Sequence, residues 1–66
     1  MNRKTYANLR AEIARNGDTL NTLSNVLGVS AGSVSKRLSG DIEWTISEIK
    51  ILCDRYNKSF EELFEK

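Results

Sequence analysis

The chain has 66 residues, with 10 lysines and arginines against 9 aspartates and glutamates, one cysteine and no histidine. So short a chain cannot divide its apolar residues between two cores, so one domain of modest stability is expected, spanning residues 1–66. With no histidine and only Cys53, disulfide frameworks, zinc fingers, catalytic triads and Cys/His dyads are excluded, and no enzyme activity, cofactor or metal is expected.

Met1-Asn2-Arg3-Lys4-Thr5 leads into no apolar h-region, and the longest uninterrupted apolar run is Ile51 to Cys53. A cytoplasmic protein without signal peptide or membrane span is expected. Proline is absent, and apolar residues recur at helical spacing throughout, which predicts an all-α domain. Leu9 and Ile13, with Tyr6 and Ala14 beside them, mark the inner face of a first helix over about residues 5 to 15. Arg3, Lys4, Arg10, Glu12 and Arg15 keep its remainder solvated, and Asn16-Gly17 closes it. Thr19 is an N-cap type for a second helix whose face is Leu20, Leu23 and Leu27, stopped by Gly28. Ser30 caps a third helix with Val34 and Leu38 inward, ended by Gly40.

Thr45-Ile46-Ser47-Glu48 fits a Thr-x-x-Glu capping box and opens a fourth helix lined by Ile46, Ile49, Leu52, Cys53 and Tyr56. Asn57-Lys58 breaks it. Ser59-Phe60-Glu61-Glu62 is a second box, opening a brief fifth helix that buries Phe60 and Leu63 and carries Phe64. Trp44 and Phe60 are expected in the core, and Cys53 as a packing residue. Glu61 and Glu62 favour the positive end of the fifth helix, with Glu65 on the surface.

Leu20 to Ser39 carries the functional signal, because two helices joined by a tight turn of about three to four residues form the unit used on DNA. Leu23, Leu27, Val29 and Val34 are apolar where the helices share a core. Ser24 is small where they cross, and Gly28 accepts the left-handed turn conformation. Since Val34 and Leu38 face inward, Ala31, Gly32, Ser35 and Lys36 project outward near the N-terminal end of the third helix.

Through "NLRAEIARNG", "LSNVLGVSAGSVSKRLSG" and "WTISEIKILCDRYNKSFEELF" the chain resembles the Cro and phage-repressor type, or XRE-like, helix-turn-helix proteins over about residues 8 to 64. The resemblance implies a compact five-helix lambda-repressor-like domain that reads operator DNA with its third helix in the major groove, as a homodimer, to repress or switch transcription. It places base reading on Ala31, Gly32 and Lys36, with Ser33 and Ser35 as neighbours. Ala31 can touch only a thymine methyl and Gly32 offers only backbone, whereas Lys36 can donate to guanine, so direct readout is thin and DNA shape carries more.

Two positions depart from the family pattern. Leu20 stands where many relatives have a phosphate-contacting glutamine, which leaves Thr19 and the helix N-terminus to replace that contact. Arg37 stands where the motif is often apolar, free for a phosphate or an acidic partner. The backbone contacts expected on this reading are Arg10, Arg15, Thr19, Ser33, Arg37 and Ser39. Charge is divided accordingly: residues 1–40 sum to +4 and residues 41–66 to −3. Double-stranded DNA is the expected partner, and no small-molecule ligand is expected. A homodimer through the fourth and fifth helices is expected to use exposed members of Ile51, Tyr56, Leu63 and Phe64. The alternative is an antitoxin-like or regulator-binding module that keeps the fold without strong DNA binding.

Overall fold

A computed structural model of the chain describes residues 6–64. Five helices follow in order, α1 (Ala7–Arg15), α2 (Leu20–Leu27), α3 (Ala31–Ser39), α4 (Ile46–Tyr56) and α5 (Phe60–Phe64), and no strand occurs among the described residues. Arg3, Lys4 and Thr5, expected at the start of the first helix, and Glu65 lie outside the described residues.

Local chemistry sets the boundaries. Thr19 Oγ1 accepts the Thr22 N–H at 3.2 Å while Thr22 Oγ1 accepts the Thr19 N–H at 2.8 Å, a reciprocal box that starts α2. Ser30 Oγ accepts the Ser33 N–H at 3.1 Å to start α3. The expected boxes Thr45/Glu48 and Ser59/Glu62 both close, each with two hydrogen bonds of 2.8–3.2 Å. At the other ends, Gly28 at φ 75° and Asn57 at φ 54° take the left-handed conformation that turns the chain out of α2 and α4.

The interior is one cluster. Leu9, Leu23, Val34, Leu52 and Leu63 are fully buried, and Leu38, Trp44, Tyr56 and Phe64 complete it, with Ile13, Leu27, Val29, Ile49 and Cys53 packed at its edge. Burying each large aliphatic side chain is worth about 1.5–3 kcal/mol. α2 lies against α3 and α4, and α5 closes the domain against α1 and α4.

Several expected core positions are not there. Ile46 is 75% exposed and Phe60 47%, and Leu20 is also exposed. Each is the first residue of its helix. Cα–Cβ bonds tilt toward the helix N-terminus, so a first-turn side chain overhangs the end of its helix instead of lying over the core-facing stripe. Ala14 is exposed as well. Conversely Tyr56, Leu63 and Phe64, expected as dimer residues, are buried within the chain itself, leaving only Ile51 of that set exposed. Glu12, expected on the solvated face of α1, is buried as well. It is held there by an ion pair with Arg15, a 3.9 Å approach of Lys58 Nζ and the Asn16 side chain.

Candidate nucleic-acid interface

The turn between α2 and α3 rests on one carbonyl. Ser24 O accepts the Gly28 N–H at 2.8 Å and the Val29 N–H at 3.2 Å, so the chain reverses while Val29 packs back on the core. A Cβ on Gly28 would meet nothing within 4 Å, so glycine is required there by its positive φ and not by lack of space. Val34 and Leu38 anchor the inner face of α3, as its spacing predicts.

The outer face of α3 is left nearly bare. Gly32, Ser35 and Lys36 are exposed, and Ala31 and Ser33 are half-buried. No acidic residue occupies the first turn of α2 or α3, so the partial positive charge at both N-terminal ends is not neutralised from within their own helices. Thr19 remains exposed at the start of α2, its oxygen accepting in the cap and its O–H still available as a donor. Ser33 is engaged locally, its hydroxyl oxygen 3.1 Å from that of Ser30.

The basic side chains are less available than their positions in the sequence suggest. Arg37 is not free for phosphate. Its Nε donates to Glu48 Oε1 at 2.9 Å and its terminal nitrogen approaches Ser33 O at 3.3 Å, with the Arg37 side chain 11% exposed and that of Glu48 9%. Burial raises the Glu48 carboxyl, but the Arg37 guanidinium and the Thr45 N–H outweigh it and hold Glu48 ionised below its ordinary range. The same Oε1 closes the α4 capping box, so one oxygen ties α3 to the start of α4. Arg10 donates to Leu38 O at 2.9 Å, placing a cation at the C-terminal end of α3 where the helix dipole favours it. Arg15 pairs with Glu12 yet stays 66% exposed. Ser39 Oγ lies 3.0 Å from Lys36 O and 3.1 Å from Asp41 Oδ2, so a carboxylate sits beside the hydroxyl expected at a phosphate. Lys36 forms no ion pair among the described residues.

Sequence reading missed a second clamp. Asp18, in the α1–α2 connection, accepts two hydrogen bonds from Arg55 at 2.9 and 2.7 Å and one from the Tyr56 hydroxyl at 2.6 Å. The Arg55 bonds, opposed by burial and helped by Tyr56 and Thr22, bring Asp18 from its ordinary 3.8 down to about 2. Burial and the neighbouring Asp18 together push the Tyr56 hydroxyl well up. The partners are 37 and 38 residues apart, so helical periodicity carries no sign of them. Burial, then the charge of Asp54, raises the Cys53 thiol, which keeps it protonated and unreactive at neutral pH.

No helix among the described residues is long and apolar enough to cross a membrane. Comparison with curated proteins and with solved structures found no match. The BetR domain family model matches residues 5–66, and the chain therefore belongs to the BetR domain family, small helical helix-turn-helix-like domains related to DNA-binding regulators.

Proposed function

We propose that the chain is a sequence-specific DNA-binding transcriptional regulator of bacterial or phage type, without enzyme activity, that presents α3 to the major groove as a repressor or Cro-like switch. The observation that carries this reading is the outer face of α3: Gly32, Ser35 and Lys36 stand exposed on a helix whose inner face and C-terminal end are fixed by Val34, Leu38, Arg10 and Glu48. Gly32 adds to it. A Cβ there would meet only Ser30 Oγ, at 3.9 Å, so nothing inside the fold calls for glycine, whereas close approach of a base edge or phosphate does. Lys36 is the direct contact, Ala31 and Gly32 supply fit, and Thr19 with the first turn of α2 takes phosphate.

Dimerisation belongs to this reading, with half-sites about 34 Å apart on one face of the duplex. Since Tyr56, Leu63 and Phe64 are buried, pairing rests on Ile51 and on the DNA itself, which brings two copies together. Fluorescence anisotropy with random duplex DNA at low and moderate salt tests the reading: binding should weaken steeply with salt, and Lys36→Ala should reduce the salt slope by about 1. Equal affinity and slope in parent and variant would remove Lys36 from the interface.

A second reading is favoured by a specific observation. Arg37 is spent on Glu48, and the acids Asp41 and Glu43 follow directly after α3, which disfavours a polyanion on that side. An antitoxin-like or regulator-binding module accounts for this, and it gains if the parent shows no salt-sensitive binding at all.

A further inference from the structure

Trp44, Phe60 and Phe64 line a groove of about 250 Å³ together with Tyr6, Ile49 and Glu43. Its rings are set as walls. Tyr6, Trp44 and Phe64 stand mutually edge to face, with centroids 5.8–6.2 Å apart and planes crossing at 70–88°. Phe60 lies parallel to Phe64, planes 18° apart at 5.6 Å, and leaves much of its ring in water. The one carboxylate in the lining, Glu43, is exposed and forms no salt bridge among the described residues.

Two of these features are unusual for a small domain. Tyr6 holds φ 53°, a left-handed conformation that a bulky aromatic residue rarely adopts, and that conformation accompanies a ring seated against Trp44 and Phe64. Phe60 at the start of α5 is a large exposed ring where a polar residue would serve the capping box equally well. Aromatic faces carry negative potential, and a carboxylate at their rim adds to it, so the groove attracts a cation that also carries apolar surface. An anion is repelled by Glu43, and a neutral apolar guest gains nothing from that charge.

We propose that this groove binds a small alkylated ammonium ion, held against the exposed ring of Phe60 beside Trp44 and neutralised by Glu43. At about 250 Å³ the groove has room for a trimethylammonium group. The proposal is independent of DNA binding, since none of the groove residues belongs to α2 or α3.

Trp44 is the only tryptophan, so its emission reports the groove directly. Choline chloride titrated against the full chain should change that emission saturably, in the millimolar range, beyond a sodium chloride control of equal ionic strength. The neutral alcohol in which carbon replaces the ammonium nitrogen should bind more weakly. Phe60→Leu should weaken choline binding about 2- to 5-fold, and Glu43→Gln by a similar factor of about 2 to 5. Both side chains are exposed, and unchanged far-ultraviolet circular dichroism and melting would confirm that each variant folds. A response no larger than the salt control, equal binding of the neutral alcohol, or full binding by both variants would each overturn the proposal.

Discussion

Around α1 to α3 the interior is aliphatic, built from Leu9, Leu23, Val34 and Leu38, whereas around α4 and α5 it is rich in rings, with Trp44, Tyr56 and Phe64 beside Leu52 and Leu63. The two regions differ outside as well. The outer face of α3 is small and polar, while the surface at the starts of α4 and α5 exposes Ile46 and Phe60. What joins them is partly ionic: Arg37 reaches Glu48, and Asp18 reaches Arg55 and Tyr56. A shared apolar core is tolerant of small shifts, but a bidentate or buried ion pair is satisfied at one geometry only. In this chain the aliphatic half supplies α3, and the clamps fix its orientation on the aromatic half.

That division can be broken most forcefully from the core. Leu23→Ala should cost about 2–5 kcal/mol, because the fully buried side chain leaves a cavity between α2 and its neighbours, and chemical denaturation would measure it. Glu48→Ala should cost about 3 kcal/mol, since it strands the Arg37 guanidinium and opens the α4 cap together. Glu48→Gln, which can still accept from Thr45, should lose less. Equal stability of parent and Glu48→Ala would mean that the clamp contributes no net stability. Gly28→Val comes next, at about 1–2 kcal/mol, from forcing a branched residue to positive φ.

Asp18 sharpens the comparison through pH. Its carboxyl titrates lower in the folded chain than in the unfolded one, so its contribution is complete above the unfolded value of 3.8 and is lost as pH falls toward about 2. Thermal melts between those values should show the parent losing stability more steeply than Asp18→Asn, and parallel profiles would count against the clamp. The smallest effect is of opposite sign. Gly32→Ala should stabilise the fold by about 0.5–1 kcal/mol, as a helical glycine with room for a Cβ, while lowering DNA affinity if Gly32 lies against the duplex. A variant that gains both stability and affinity would show that α3 approaches DNA elsewhere.

What the sequence made legible was local. Thr19, Ser30, Thr45 and Ser59 cap their helices, and Gly28 and Gly40 end theirs, because each signal involves residues within a few positions of one another. The inner faces of α3 and α4 followed from spacing, apart from Ile46. Ile46, Phe60 and Leu20 were misread because periodicity assigns an angle around a helix and not the overhang of its first residue. Arg37 was misread for another reason. Its partner Glu48 lies 11 residues away on another helix, and nothing in either residue's neighbourhood announces the other. Ala31, Gly32, Ser35 and Lys36 follow as an outward face from the inward positions of Val34 and Leu38, and Gly32, Ser35 and Lys36 are exposed there while Ala31 is half-buried.

The single oxygen Glu48 Oε1, accepting both from the Thr45 amide at 3.0 Å and from Arg37 at 2.9 Å, has a consequence for how the molecule opens. Fraying the first turn of α4 releases Arg37, and releasing Arg37 loosens the last turn of α3. The two segments should therefore exchange their amide hydrogens as one cooperative unit, with similar protection, although they are separate helices. The outer face of α3 would then be lost only in openings that also undo the start of α4, linking its lifetime to a cap on the opposite side of the connector.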